Sequence, residues 1–436
     1  MRRRTRGRSA WVMLLSVTAA LMLTACSGDA GGKEKLSDDP VTLRFTWWGS
    51  DLRHQRTQEV IKQFQSEHPN ITVKGEFKEW NGYWDSLATT VAANDAPDII
   101  QMDEVYLASY AERGALLDLK SSQKYLKTTN FDPKALATGE LSGKQYGLPT
   151  GLTVYSIIVN TDLLDKYKIK IPDDSTWTWD DYKAIGAQVS KASGGKVKGT
   201  GSWGFDTGAL NIWARQAGAS LYDAKGNVSI PSPVLADFWS YLADLTKSGV
   251  APPASETVES ASGPLEQGAI PTGRAAFGTA WSSQLSSIAA VSNGARLKLL
   301  KLPTKGQVST PSAYYKPSMF WSVSSRTKHP AEAALFVDYL ANSDKAADTL
   351  LIDRGIPANT QTRAEISKKL TGPDADSATY LDSLSIGTTP QPTPKGASNI
   401  EAIMKRHTEE VLFGRATPQQ AADAFIKELQ AEIDAA

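Results

Sequence analysis

Several side chains that could bind a ligand follow the first three predicted strands of this 436-residue chain. They are Trp47, Trp48, Ser50, Asp51, Trp80 and Asp103. Open α/β sheets place ligands outside the carboxyl ends of their strands, so these residues are candidates for a binding site. Flat aromatic rings beside carboxylates suit a ligand that carries hydroxyl groups and apolar C–H faces. The sequence leaves open which of Trp47 and Trp48 faces such a site, and Asp51 is equally suited to cap a helix.

The elements that must position these residues alternate between strand and helix. Val41, Leu43 and Phe45 alternate with polar residues, which predicts a strand. A helix and two further strand–helix pairs follow it, the last ending near Gly114. This β-α-β-α-β-α order predicts an α/β domain around a mostly parallel sheet.

The rest of the chain repeats these signals. Further strands are predicted over residues 153–160, 275–279 and 319–324. Helix starts are predicted at Thr178, Pro330 and Thr417. Trp84, Trp179 and Trp239 have the spacing of residues on the core-facing side of a helix.

The N-terminus has the pattern of an export signal. Five arginines lie within the first eight residues, and an apolar stretch runs from Ala10 to Ala25. That stretch is shorter than the roughly 20 residues that a spanning helix needs. The run Leu23-Thr24-Ala25-Cys26 resembles the lipobox of bacterial lipoproteins, which implies a lipid on the sulfur of Cys26; the alternative is a plain signal peptide. Residues 26–40 are polar and glycine-rich, and we expect a flexible tether there.

Composition excludes some classes of function. The leader holds five of the 47 basic residues and no acidic one, so the mature chain is mildly acidic and is a poor candidate for binding nucleic acid. Cys26 is the only cysteine, so no intramolecular disulfide can form. The length favours two domains. The four histidines lack metal-ligand spacing, and no cofactor is expected. Gly199 to Gly204 matches G-x-G-x-x-G without the strand–helix context of a dinucleotide site, and is interpreted as a surface turn.

An ordered series of short motifs resembles the family-1, carbohydrate-binding solute-binding proteins of bacterial ABC importers, related to maltose-binding protein. The motifs begin at Phe45, Phe64, Ala96, Gly114, Tyr146, Val159, Thr178, Arg354 and Thr417. The resemblance implies an α/β fold of the two-lobe, periplasmic-binding-protein type II, with a ligand cleft between lobes that are joined by hinge crossings. It implies residues 41–152 and 320–360 as lobe 1, and residues 153–319 and 361–436 as lobe 2.

The resemblance also implies a function and further site residues. The chain would be a monomer on the outer face of the cell membrane, anchored through Cys26, that captures a mono- or oligosaccharide and delivers it to an ABC permease. Thr150 and Thr153 match the position of polar contacts in the family, and Trp281 that of a sugar-stacking tryptophan. Weaker candidates are Trp213, Trp321 and Arg354.

Two alternatives stay open at this point. A secreted glycoside hydrolase would need two carboxylates across the scissile bond, for which Glu79 and Asp103 are one candidate pair. A lipoprotein of the same architecture could instead bind a non-sugar ligand. Within the sugar hypothesis, Arg53 leaves an acidic sugar open, because a guanidinium suits a carboxylate.

Overall fold

The computed structural model describes residues 35–49, 51–78, 80–262, 267–306 and 311–436, apart from the side chains of residues 52, 80, 81, 261 and 262. The predicted leader, Cys26, Ser50 and Glu79 lie outside the described residues, and Trp80 is described through its backbone alone.

Twelve strands are formed by the described residues. They are β1 (Val41–Trp48), β2 (Ile71–Lys78), β3 (Ile99–Met102), β4 (Glu140–Leu141), β5 (Lys144–Gln145), β6 (Leu148–Thr153), β7 (Tyr155–Asn160), β8 (Lys198–Thr200), β9 (Ala275–Trp281), β10 (Leu297–Leu300), β11 (Lys316–Val323) and β12 (Ile356–Pro357).

Helices lie between and after these strands. They are α1 (Asp51–Glu67), α2 (Trp80–Ala92), α3 (Glu104–Glu112), α4 (Pro133–Ala137), α5 (Thr161–Lys166), α6 (Trp179–Ala192), α7 (Thr207–Gln216), α8 (Ser232–Lys247), α9 (Ala254–Ser262), α10 (Leu285–Ala290), α11 (Pro330–Asn342), α12 (Asp344–Leu350), α13 (Thr360–Ser367), α14 (Gly372–Asp382), α15 (Ile400–Leu412) and α16 (Pro418–Asp434).

The first large sheet has the strand order β12-β6-β11-β3-β1-β2. β1 pairs in parallel with both β2 and β3, as the alternating N-terminal pattern predicts. β11 pairs antiparallel with β3 and with β6, and β12 pairs antiparallel with β6. The sheet is therefore mixed, and the prediction of a mostly parallel sheet is wrong, because the strands that return from the other half of the chain enter it in the opposite direction.

The second sheet has the order β10-β7-β9-β8. All six residues of β7 are buried, as expected of a central strand rich in β-branched residues. Helices α7, α8, α15 and α16 pack together beside this sheet. The two sheets with their helices form the two lobes of the α/β fold that the sequence predicts.

The chain passes between the sheets at a short buried connection. A single residue, Val154, separates β6 from β7 and is fully buried. Its N–H donates to Oγ of Ser282 over 3.2 Å, and its carbonyl accepts from the N–H of Ser282 over 2.8 Å. Later in the chain α13 still packs on α12 and β12, whereas α14 packs on α10 and β10. The predicted lobe limits at 152/153, 319/320 and 360/361 stay a prediction.

Local helix signals are confirmed where their chemistry is explicit. Thr178 caps α6 in a capping box with Asp181, and Thr417 caps α16 in a capping box with Gln420. Pro330 is the first residue of α11. Trp84, Trp179 and Trp239 are buried, as predicted.

The interpretation of residues 199–204 as a surface turn is wrong. Thr200 in β8 is 1% exposed and Trp203 is 3% exposed. A Cβ on Gly199 would overlap the backbone of Gly186, so this glycine lets α6 and β8 approach closely.

Candidate ligand-binding site

A cavity of about 420 Å³ lies between the two lobes. The first lobe contributes the residues that follow β3 and the start of β11. The second lobe contributes the start of α7, the end of β9, and the start of α15. The polar and aromatic residues that matter to its chemistry are Asp103, Glu104, Tyr106, Asp206, Asn211, Arg215, Tyr222, Trp281, Tyr314, Lys316 and Glu401.

Asp103 stands at the carboxyl end of β3 and caps α3. Its Oδ1 accepts from the N–H of Val105 over 3.1 Å. Burial raises the pKa of Asp103 to about 6, a rise that the ammonium of Lys316 opposes and the carboxylate of Glu104 reinforces. Asp103 is therefore a carboxylate held at an energetic cost, which a hydrogen-bond donor on a ligand would reduce.

Lys316, the first residue of β11, is the cation nearest to that carboxylate in the described cavity wall. Because β11 runs antiparallel to β3 and Phe320 pairs with Met102, the start of β11 extends past the point where β3 ends. Nζ of Lys316 lies 2.6 Å from Oε1 of Glu104. Burial by itself would lower the pKa of Lys316, but the charges of Glu104 and Asp103 outweigh it and the pKa is raised. Lys316 is therefore protonated and ion-paired.

Trp281 presents a partly exposed ring to the cavity from the end of β9. Tyr155 meets that ring edge-on at a centroid distance of 4.9 Å, and Tyr314 does so at 6.1 Å. A Cβ on Gly208 would overlap the Trp281 ring, so α7 can approach the ring closely because of this glycine. Nζ of Lys316 lies 5.6 Å from the ring centroid. The ring is held in place and forms a flat platform beside charged groups.

Two further carboxylates enter from the second lobe. Asp206 is half-buried, caps α7 and accepts from the N–H of Gly208 over 2.7 Å; burial raises its pKa. Glu401 lies in the first turn of α15 at the exposed rim. Desolvation by the surrounding protein, and then the charge of Asp206, raise the pKa of Glu401.

A second cavity of about 540 Å³ adjoins the first and shares Val105, Tyr106 and Ser398 with it. Its wall includes Trp84, whose ring stacks on Tyr106 at a centroid distance of 3.9 Å and an angle of 28°. The cleft between the lobes therefore continues beyond the Trp281 platform.

Of the residues that the sequence predicts for the site, Asp103 and Trp281 line the cavity. Trp47 and Trp321 instead lie in the core of the first lobe, at 0% and 1% exposed. Trp48 is 8% exposed and packs against Tyr83 on the opposite face of the same sheet, so both members of the Trp47–Trp48 pair are buried.

Trp213 and Arg354 are also buried away from the cavity. Trp213 is 3% exposed and packs in an aromatic cluster with Trp179, and the ammonium of Lys305 lies 3.8 Å from its ring centroid. Arg354 is 4% exposed and donates to Oε1 of Gln101 over 2.9 Å. Both residues stabilise the lobes in which they lie.

The threonines and Asp51 lie outside the cavity wall. Oγ1 of Thr150 donates to the carbonyl of Arg354 over 3.2 Å, and Oγ1 of Thr153 accepts from the N–H of Ser283 over 3.1 Å, so both are used at the crossing. Asp51 is exposed at the start of α1.

Sequence reasoning missed most of the cavity's charged residues. Asp206 had a usable signal, because an aspartate before Thr207-Gly208 is a helix-cap pattern, but no helix start was predicted at this point. Glu401 lies in the first turn of α15, and nothing in the sequence indicates which way that turn points. Lys316 had no local signal, because its place depends on how β11 pairs with β3.

No group of three or more metal-ligating side chains is present among the described residues. None of the helices within the described ranges combines the length and apolar character that crossing a bilayer requires.

Two lobes, each with its own sheet, around a polar cavity define the class of the type II periplasmic solute-binding proteins. Residues 59–373 match the family described as bacterial extracellular solute-binding protein. The chain belongs to that family. Because its members are binding proteins and not enzymes, the glycoside-hydrolase alternative is excluded.

Individual relatives agree with this assignment. A structure described as extracellular solute-binding protein family 1, from Alicyclobacillus acidocaldarius, is 30% identical with a TM-score of 0.74; the match covers 91% of this chain and 99% of that one. The maltodextrin-binding protein MdxE of Bacillus subtilis is 24% identical over 366 residues, 83% of each chain. An uncharacterized lipoprotein of Streptomyces antibioticus is 28% identical over 197 residues, 44% of this chain and 40% of its own length. The chain spans half or less of the length of the first curated relatives that it matches.

Proposed function

We propose that this protein is the lipid-anchored binding component of an ABC sugar importer, which captures a saccharide between its lobes and delivers it to a membrane permease. The observation that carries the proposal is the ring of Trp281, partly exposed in a cavity to which both lobes contribute carboxylates. An aromatic face suits the C–H face of a sugar ring, and carboxylate oxygens accept from its hydroxyl groups.

The ligand-binding residues of this proposal are Asp103 and Trp281, together with Glu104, Asp206, Lys316 and Glu401. The first pair comes from the sequence prediction and the other four from the geometry of the cavity. The name of the Bacillus subtilis relative, which binds maltodextrin, supports a saccharide ligand. The adjoining cavity of about 540 Å³ supports an oligosaccharide over a single sugar unit.

The ligand-binding test uses Trp281→Ala. We expect the affinity for the saccharide found by a calorimetric screen to fall by about 2–3 kcal/mol, roughly 30- to 150-fold, because the platform is lost. The melting temperature of the ligand-free protein should change little. Phe413→Ala is the matched control, because Phe413 is an aromatic residue 42% exposed outside the cavity wall. Unchanged affinity with a large loss of stability would assign Trp281 to the core, and a screen in which only peptides bind would replace the sugar with another ligand.

The anchor is proposed from Cys26 and its neighbours. A relative described as a lipoprotein supports it. Leu36 and Ser37 are hydrogen-bonded to Tyr125 and Glu332 of the first lobe, so the expected tether of residues 26–40 is too long. A tether of residues 26 to 35 would span about 17 Å root-mean-square, which keeps the cleft close to a permease in the membrane.

Fractionation of cells that express Cys26→Ser tests the anchor. We expect the wild-type protein in the membrane fraction and the variant in the soluble extracytoplasmic fraction, with equal sugar affinity. Equal membrane retention of both proteins would contradict a lipid on Cys26.

A further inference from the structure

The cavity wall carries an excess of negative charge. Four carboxylates and two cations line it: Asp103, Glu104, Asp206, Glu401, Arg215 and Lys316. None of the lysines and arginines in the described ranges forms an ion pair with Asp103, Asp206 or Glu401. The remaining carboxylate, Glu104, already neutralises Lys316 at 2.6 Å.

Both cations already have partners within the protein. Lys316 is bound to Glu104. Arg215 donates from Nε to the carbonyl of Ser312 over 2.8 Å and from Nη2 to the carbonyl of Thr388 over 2.7 Å. Its guanidinium also lies 5.3 Å from the ring centroid of Tyr314. Arg53, the residue for which the sequence analysis considered an acidic sugar, lies outside the cavity wall. Its Nε lies 3.0 Å from Oδ2 of Asp353.

A second, independent observation points to a polar group on the ligand. Tyr222 lines the cavity and is 5% exposed, and its hydroxyl has no hydrogen-bond partner among the described residues. A buried polar group without a partner costs free energy, so a ligand that forms a hydrogen bond with this hydroxyl would gain by satisfying it.

We infer that the cavity selects its saccharide by charge, favouring a sugar that carries a protonated amine over its neutral counterpart and rejecting one that carries a carboxylate. An ammonium offers three donors and a positive charge, which the carboxylates of Asp206 and Glu401 would share. A uronate would add a charge of the same sign to a partly desolvated cavity in which carboxylates outnumber cations. The inference rests on the proposed function, since it concerns the same cavity.

The alternative to an amino sugar is a neutral sugar, because carboxylates also accept hydrogen bonds from hydroxyl groups. A hydroxyl satisfies one carboxylate oxygen but leaves the excess charge in place, whereas an amine removes part of it. The two alternatives therefore predict different rankings of otherwise identical sugars.

The experiment is calorimetry of the full mature chain with saccharides matched in linkage and length that differ in one group. Each set contains a glucosamine, an N-acetylglucosamine, a glucose and a glucuronate oligomer, in α-1,4 and β-1,4 linkage, at low and at high salt. We expect the amine member to bind at least about tenfold more tightly than the neutral members, with a preference that shrinks in high salt, and no measurable binding of the uronate.

Asp206→Asn makes the test specific to the cavity. Asparagine caps a helix as well as aspartate does, so α7 is retained while the charge is removed. The variant should lose most of the amine preference, with the neutral sugar affected less. Asp118→Asn is the matched control, because Asp118 caps a short 3-10 helix (Leu119–Ser122) and lies outside the cavity wall. That control should keep the full preference.

Each outcome decides between the two claims. Binding of the uronate member as tightly as the others, or an amine member no tighter than its neutral counterpart, would overturn the charge inference and leave a sugar-binding protein. Failure of every sugar to bind, with a non-sugar ligand found instead, would contradict the proposed function itself.

Discussion

The carboxyl ends of β1 and β3 lie side by side in one sheet and serve opposite purposes. At the end of β1, Trp47 and Trp48 are buried on opposite faces of the sheet, packed against Phe45 and Tyr83 respectively. At the end of β3, Asp103 opens into the cavity between the lobes. The end of β1 is buried among aromatic rings, whereas the end of β3 is polar and open to a ligand.

The difference follows from strand order. β1 lies between β3 and β2 at the far side of the sheet, whereas β3 is paired with β11, the strand that returns from the other lobe. The cavity shared with the other lobe therefore opens at the end of β3, and none of the described residues at the end of β1 lines it. A residue's place after a strand indicates the ligand-facing edge of a sheet, but the position of that strand in the sheet decides whether the edge meets a cleft.

The largest effect on stability should come from a substitution at the end of β1. Trp47→Ala should lower the free energy of unfolding by about 3–5 kcal/mol, because it empties a fully buried site in the first lobe. Sugar affinity of the folded fraction should be unchanged. Chemical denaturation followed by calorimetry measures both. Trp47→Phe is the control and should cost less, because Nε1 of Trp47 has no partner among the described residues and most of the ring volume is kept. Loss of sugar affinity in both variants would show that the end of β1, like the end of β3, contributes to ligand binding.

A buried arginine connects the ends of β1 and β3 through hydrogen bonds. Arg354 donates to Gln101 in β3 over 2.9 Å and to Oγ1 of Thr57 in α1 over 2.8 Å, and Gln101 donates in turn to the carbonyl of Trp48 over 3.1 Å. Burial is the main reason that its pKa falls to about 9. Arg354→Met should cost about 2–3 kcal/mol of unfolding free energy, because it leaves buried acceptors unpaired.

Arg53→Met is the comparison for that variant and should cost less, since Arg53 is more exposed. Denaturant titration of the two variants side by side tests the order. Asp353 pairs with both arginines, since Nη1 of Arg354 lies 3.1 Å from its Oδ2. An equal or larger loss in Arg53→Met would show that Asp353, and not the contacts to Gln101 and Thr57, carries the stabilisation.

The smallest effect on stability should come from a substitution at the end of β3, and it should be stabilising. The pKa of Asp103 is about 6 in the folded protein, compared with 3.8 for an aspartate in an unfolded chain. The folded state therefore holds the proton more tightly. Its contribution to stability is present below about pH 4 and is lost as the pH rises through about 6. Asp103→Asn should therefore stabilise the ligand-free protein by about 1–2 kcal/mol at pH 7–8, and should flatten this part of the pH profile.

Affinity should move the other way in the same variant. An ionised Asp103 accepts from a ligand, so Asp103→Asn should weaken sugar binding by about tenfold at pH 7, and wild-type binding should weaken as the pH falls below about 6. Thermal unfolding and calorimetry between pH 4 and 8 measure both effects. A variant that is destabilised at pH 8 would contradict an energetic cost of the buried charge, because asparagine can keep the cap to Val105.

Local chemistry could be predicted from the sequence, and the assembly of the site could not. The caps at Thr178 and Thr417, the central strand β7 and the buried helix-face tryptophans depend on residues close together in the chain, so their patterns are explicit. Lys316 meets Glu104 because two strands more than 200 residues apart are paired, and no pattern near either residue indicates it. Tryptophan itself was an uncertain guide, since Trp213 and Trp321 proved to be packing groups whereas Trp281 reached the cavity.

The single residue between β6 and β7 limits how the lobes can move. Thr153 and Tyr155 belong to different sheets, yet one residue separates them, which keeps their Cα atoms within about 7 Å of each other in every state of the protein. Both backbone groups of Val154 are hydrogen-bonded to Ser282 of the second lobe. One lobe can therefore turn relative to the other, but it cannot slide along it. Any opening of the cleft is a rotation about a point close to Val154, so the rim travels far while the base stays almost fixed.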